Sequence, residues 1–276
     1  MHQNSPPRGG NVYRRFVLAG AGGGLLAAPG AMAMGSRPPL AASRDFQVPV
    51  LCYHQFGEHA GSTLMVSTAT LEAQLRLMVD SGFLVIPARR LVERWLGLTP
   101  VLSDRSCVVT IDDGYRSIYT IFFPLAVKHR IPATIFIYPS AISVLPFALT
   151  WEELAEMKAS GLIDVQSHTY THPNLSLEEH RLSGPSFDQF VRRELDLSRQ
   201  VIEARLGRPC DLLAWPYGVY DPGLKEDARR AGYIAAFGTA RHHATQNDDI
   251  MALPRYIITE RDREAAFEHI FLGAPL

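Results

Sequence analysis

The sequence predicts an α/β fold built on a parallel sheet or a barrel. Short apolar runs rich in β-branched residues recur along the chain, and most are followed by a stretch with helical periodicity. Several of these runs end in histidine, aspartate or aromatic-proline-glycine clusters, at the strand ends where parallel α/β folds collect reactive groups. After about residue 45 there is no internal repeat, low-complexity segment or linker, so residues 43–276 are expected to form a single domain.

The elements follow in order. Val48 to Tyr53 reads as a first buried strand with His54 at its end, and residues 57–67 as a loop. Leu71, Leu75 and Met78 stand at helical spacing in Thr70 to Ser81, and Gly82 is the stop. Phe83 to Ile86 is a short strand broken by Pro87, and Leu91 to Leu98 an amphipathic helix. Cys107 to Ile111 is a core strand running into Asp112-Asp113-Gly114. Ile118 to His129 has helical spacing despite Pro124, and Ala133 to Tyr138 is another core strand. Thr150 and Glu153 have the capping-box form and open a helix that closes near Gly161. Ile163 to Ser167 is a strand leading into His168-Thr169-Tyr170-Thr171-His172. Phe187 to Leu206 is the longest helix, with Phe190, Leu195, Leu197, Val201, Ile202 and Leu206 as its apolar positions. Leu212 to Trp215 is a strand ended by Pro216-Tyr217-Gly218, and Leu224 to Ala231 a helix stopped by Gly232. Tyr233 to Phe237 and Arg255 to Thr259 are the last strands, and Glu264 to Phe271 a closing helix.

Composition sets the outer bounds. The chain has 276 residues, 47% hydrophobic and 20% charged, with a formal net charge of -1. It has no block of like charges, so neither nucleic acid nor a membrane surface is implied as a partner. Three cysteines, Cys52, Cys107 and Cys210, cannot complete a disulfide framework; a Cys52–Cys107 bridge would require their strands to be neighbours. Residues 1–42 differ from the rest. Arg14-Arg15-Phe16-Val17-Leu18 precedes a Gly/Ala/Leu stretch and small residues at 31–33 and 40–42. Basic, then apolar, then small is the order of an export signal, here of twin-arginine form. The expectation is an exported, periplasmic protein with no stable membrane insertion after cleavage.

The chemistry centres on Asp112 and Asp113. Buried carboxylates at the end of a core strand are costly unless paired or metal-bound. An Asp-Gly turn with solvated carboxylates would give the same local pattern, so the rest of the chain decides. Adjacent strand residues face opposite ways, which lets one carboxylate bind a metal while the other works as a base. His168 and His172, four apart after another strand, join Asp113 as a two-histidine, one-carboxylate set with coordination positions left open. Asp112 is then free to be the base. His54, which in isolation would read as a histidine satisfying a loop carbonyl, becomes a candidate acid. Such a set suits zinc, with cobalt, nickel or iron as alternatives.

Thr-Ile-Asp-Asp-Gly (110–114), His-Thr-Tyr-Thr-His (168–172) and Trp-Pro-Tyr-Gly (215–218) resemble the first three motifs of the polysaccharide deacetylases, the NodB-homology or carbohydrate esterase family 4 enzymes. The similarity runs from about residue 48 to 260. It implies a distorted, incomplete (β/α) barrel and metal-dependent removal of acetyl groups from an acetylated polysaccharide. It also implies Asp112 as base, Asp113, His168 and His172 as ligands of one divalent metal, and the Tyr217 backbone N–H as an oxyanion donor. The chain departs from the family pattern twice. Ala214 stands where an arginine is usual, and the late Leu-x-His motif that supplies the acid is not apparent. Leu-Cys-Tyr-His (51–54) instead resembles the circularly arranged branch that includes poly-β-1,6-N-acetylglucosamine deacetylases, with His54 as the acid. Arg255 is the candidate replacement for the missing arginine, orienting Asp112. The expected function is N-deacetylation of an N-acetylglucosamine polysaccharide. The alternatives are chitin-like or peptidoglycan substrates, or a non-catalytic glycan-binding protein that would have shed Asp112 or a ligand. A two-metal phosphoesterase would need more ligands than these strand ends offer.

Overall fold

In the computed structural model, residues 46–99 and 101–272 are described, and the expected export signal at 1–42 lies outside them. Eight strands form one parallel sheet among these residues: β1 (Val50–Tyr53), β2 (Leu84–Ile86), β3 (Ser106–Ile111), β4 (Ala133–Ile137), β5 (Ile163–Ser167), β6 (Leu212–Ala214), β7 (Ala235–Phe237) and β8 (Tyr256–Ile257). The order is β7-β6-β5-β4-β3-β1-β8, with β2 pairing the lower part of β3. Around it lie α1 (Thr68–Asp80), α2 (Ala88–Trp95), α3 (Phe123–His129), α4 (Trp151–Ala159), α5 (Leu175–Arg181), α6 (Gly184–Leu206), α7 (Pro222–Arg230) and α8 (Glu264–Leu272). No helix among the described residues is long and apolar enough to cross a membrane.

The sheet curls into an incomplete barrel, and one late segment spans its gap. Leu253 exchanges backbone hydrogen bonds with the β7 end, through Leu253 N–H to Ala236 and Gly238 N–H to Leu253. Two residues later Tyr256 and Ile257 pair in parallel with Leu51 and Cys52 of β1. Arg255 is therefore held between β7 and β1.

Strand alternation sorts the side chains into two cores. Cys107, Val109 and Ile111 pack outward with Leu51, Tyr53, Ile135, Ile137 and the helices. Val108 faces inward, with Val50, Phe136, Leu212, Ala214 and Phe237, over the plug supplied by Ala88, Leu91 and Val92 of α2. The same alternation carries Thr110 and Asp112 to the inside. Inward-facing positions are thus apolar at one end of the barrel and polar at the end where the strands terminate.

Several local expectations shift. The helix expected from Leu91 starts at Ala88, directly after Pro87. The 118–129 helix opens as a π-helical turn at Ile118–Phe122, and Pro124 falls in the first turn of α3, where its missing N–H costs nothing. The loop at 57–67 holds a short parallel pairing, Gln55–Gly57 with Met65–Ser67. Ala244–Thr245, between the last two expected strands, pairs with Gln47–Val48. Helix α5 was not anticipated; Asn174 caps it by accepting from the Leu177 N–H. The buried face of α6 runs through Val191, Glu194, Leu195, Ser198, Ile202 and Leu206, leaving Leu197 and Val201 only partly buried. The capping box of Thr150 and Glu153 forms on α4. Although β1 and β3 are neighbours, Cys52 pairs in register with Thr110 and not with Cys107, and all three cysteines are free.

Candidate active site

The ends of β1, β3, β5 and β6 converge on a cleft of about 560 Å³ lined by His54, Asp112, Asp113, His168, His172, Trp215, Tyr217 and Arg255, among others. All seven sequence-predicted site residues are brought together there. Each motif leaves its strand while still tied to a neighbour: Asp112 N–H donates to Tyr53, His168 N–H to Ile137 and Trp215 N–H to Phe237.

Beyond those ties the backbone turns sharply. Asp113, Thr169, His172 and Tyr217 all adopt left-handed conformations, with φ of 72°, 62°, 58° and 57°. Such geometry costs non-glycine residues about 1–3 kcal/mol each and persists where the surroundings over-determine it. Gly114, at φ 74°, holds a conformation that strains any other residue, and a Cβ there would press to 3.1 Å on the side chains of both Ile137 and Ile142.

The two carboxylates occupy opposite electrostatic environments. Asp112 is 2% exposed, and Arg255, fully buried, grips it with both nitrogens: Nη1 to Oδ1 at 2.8 Å and Nη2 to Oδ2 at 2.7 Å. Arg255 also donates to Thr110 Oγ1 and the Gly238 carbonyl, and lies 5.5 Å over the Phe136 ring. Burial works against ionised Asp112, but the charge of Arg255 and its hydrogen bonds outweigh it and hold the carboxyl well below the usual range. The Cys52 thiol, kept protonated by burial, sits 3.4 Å from Asp112 Oδ2 as a donor. Asp113 turns the other way. Burial first, and then repulsion from Asp112, push its carboxyl up to about 7.

Asp113 Oδ1 lies 3.4 Å from His172 Nε2 and 3.6 Å from His168 Nε2. His168 Nδ1 donates to the Ala214 carbonyl at 2.8 Å, which leaves the Nε2 lone pair facing Asp113. Burial pushes His168 down to about 3 and lowers His172, so both imidazoles are neutral at pH 7. Three donor atoms within 4.8 Å of one another, two neutral imidazoles and a buried carboxylate under electrostatic pressure to gain a positive neighbour are the donor set of a divalent-cation site. His54 stands beside Asp112, a ring nitrogen, a carboxylate oxygen and the Cys52 sulfur lying within 4.8 Å of one another; its pKa is lowered by burial, and its buried Nδ1 has no hydrogen-bond partner among the described residues.

Sequence reasoning missed Glu194. This α6 residue is 3% exposed and accepts from the Tyr170 N–H at 2.9 Å, the Thr171 N–H at 2.7 Å and the Thr171 hydroxyl at 2.8 Å. It thereby braces the loop that carries His168 and His172. The signal was available: a glutamate three residues after Val191 and four after Phe190 interrupts an apolar helix face. Trp215, at the end of β6, is fully buried, with its indole N–H donating to the Met251 carbonyl. His242 and His243 do not line the cleft; His243 Nε2 is hydrogen-bonded to the Ile270 carbonyl.

Residues 100–236 match the family model described as polysaccharide deacetylase. The chain belongs to the polysaccharide deacetylase family. It is accordingly a hydrolase, and deacetylases of this family use a divalent metal ion. Over 211 residues it is 26% identical to the poly-β-1,6-N-acetyl-D-glucosamine N-deacetylase of Staphylococcus aureus, covering 74% of this chain and 70% of that protein. The Streptococcus pyogenes deacetylase PplD shares the fold at a TM-score of 0.74 and 20% identity, covering 84% of this chain and all of that one. IcaB from Ammonifex degensii does so at 0.69 and 24%, covering 79% and 94%. These neighbours establish the NodB-type barrel for this deacetylase.

Replacing Glu194 with Gln removes the charge that anchors the His168–His172 loop. Divalent-metal affinity, measured by competition with a chelating dye, should fall about tenfold or more while the melting temperature of the metal-free protein changes little. An unchanged affinity would mean that the loop holds its shape without Glu194.

Proposed function

We propose that this chain removes N-acetyl groups from an N-acetylglucosamine polysaccharide, with poly-β-1,6-N-acetylglucosamine as its substrate. The observation that carries the reading is the pairing of two unlike carboxylates in one cleft: Asp112 locked ionised by Arg255, and Asp113 grouped with His168 and His172. The linkage rests on the placement of His54 at the end of the first strand and on the similarity to the Staphylococcus aureus enzyme. Export through residues 1–42 to the periplasm suits a polymer substrate outside the cytoplasm.

In this reading Asp113, His168 and His172 hold one divalent ion, zinc in the first instance. When bound, that ion would polarise the acetyl carbonyl and lower the pKa of the attacking water, which matters because a carboxylate held as acidic as Asp112 is a weak base. Asp112 accepts the proton as the water oxygen bonds to the carbonyl carbon, and Arg255 fixes the direction of its lone pairs. The Tyr217 backbone N–H donates to the oxyanion. His54, whose imidazole burial keeps neutral at rest, takes up the proton that Asp112 removed from water and delivers it to the nitrogen as the C–N bond breaks, releasing acetate and a free amine.

The direct test is acetate release by the mature protein, with divalent metal, from matched β-1,6- and β-1,4-linked N-acetylglucosamine oligomers. Release from the β-1,6 series alone is expected. Release from the β-1,4 series alone would move the substrate to chitin-like or peptidoglycan chains, and silence on both would overturn the glycan assignment. Asp112→Asn should lower kcat by about 10²–10⁴-fold with metal affinity nearly intact, whereas Asp113→Asn should lose the metal itself. Equal loss of metal in both would overturn the division of roles. Arg255→Lys keeps the charge but not the fork. It should reduce kcat by about 10²-fold through misalignment of Asp112, and undiminished turnover would refute the positioning role.

A further inference from the structure

A polymer substrate extends beyond the sugar whose acetyl group is cut. On the Tyr115 side of the cleft, one turn carries three large apolar side chains into solvent: Val144 at 70% exposure, Leu145 at 38% and Phe147 at 44%. The Phe147 ring lies 5.5 Å from the ring of Tyr115, at an interplanar angle of 39°. Tyr115 in turn lines the cleft, two residues after Asp113.

This ring pair is fixed to the catalytic loop by backbone. Tyr115 and Ala148 form an antiparallel bridge, the Arg116 N–H donates to Phe147 at 2.7 Å, and the Leu149 N–H donates to Gly114 at 2.9 Å. The turn is closed on its far side, where Ser143, at φ 62°, donates its N–H to Leu149 and accepts from the Trp151 N–H on Oγ. One exposed phenylalanine needs no explanation, but clustered with Val144 and Leu145 beside a polar cleft it forms the kind of apolar patch that marks a contact surface. Held rigidly, a flat ring offers contact area at low entropic cost. A pyranose in β-linkage presents a complementary surface, with axial C–H bonds on its faces and hydroxyl groups at its edge.

We propose that Tyr115 and Phe147 form a stacking subsite for the sugar next to the one being deacetylated, which makes the chain a reader of oligomer length. The subsite rests on the deacetylase reading above. Its test is the ratio of kcat/KM for an N-acetylglucosamine pentamer, of the linkage that the wild-type chain deacetylates, to that for the monomer. Phe147→Leu keeps apolar packing but removes the ring, and Phe147→Trp keeps a stacking face. The ratio should fall about tenfold in the leucine variant, through KM for the pentamer, and return in the tryptophan variant. A leucine variant with the wild-type ratio overturns the subsite alone. A wild-type chain that hydrolyses 4-nitrophenyl acetate but no N-acetylglucosamine oligomer overturns the substrate reading and the subsite with it.

Discussion

The buried pair between Asp112 and Arg255 is the interaction on which the site depends. Two charges inside a barrel are tolerable only when their remaining hydrogen-bonding capacity is met, and removing one partner of such a pair typically costs about 3–5 kcal/mol. Here the capacity is met by Thr110, the Gly238 carbonyl and the Cys52 thiol, with Phe136 beneath the guanidinium. Arg255 belongs to the segment that spans the gap between β7 and β1, so the side chain that orients Asp112 is placed by the same backbone hydrogen bonds that close the barrel. Fold closure and site assembly are one event.

That pair also sets the adjacent carboxylates in opposite environments. Strand alternation sends Asp112 inward to Arg255, while the left-handed turn at Asp113 swings its carboxylate toward His168 and His172. One acid is pulled down by a fixed guanidinium. The other, with burial and a charged neighbour against it, is pushed up to about 7. Two residues of identical chemistry thus acquire opposite electrostatic needs within a single peptide unit, one already satisfied by the protein and one suited to a cation.

Positioning falls to an outer layer of contacts. The His168–Ala214 hydrogen bond sets an imidazole tautomer from β6, and Glu194 gathers three donors of the His168–His172 loop from α6. These braces offset the strain of Thr169 and His172, neither of which would settle in a left-handed conformation unsupported. Ala214 serves here through its carbonyl, and its small inward side chain stands where the family pattern has an arginine.

The sequence by itself determined the strand-and-helix order, the capping box on α4, and the residue types that gather at the strand ends. Those features are local: periodicity, a cap three residues from its partner, a core strand that stops at two carboxylates. It also pointed to Arg255, because Ala214 left a familiar arginine missing. What only the tertiary structure decided is set by contacts distant in the chain. Cys52 reaches Asp112 sixty residues away, Glu194 braces a loop through a helix face that looked merely interrupted, and Trp215 is sealed under the cleft by Met251. The short pairings at Gln55–Gly57 and Ala244–Thr245 belong to the same class, since a two- or three-residue strand carries no periodicity of its own and exists only because a partner strand is brought alongside.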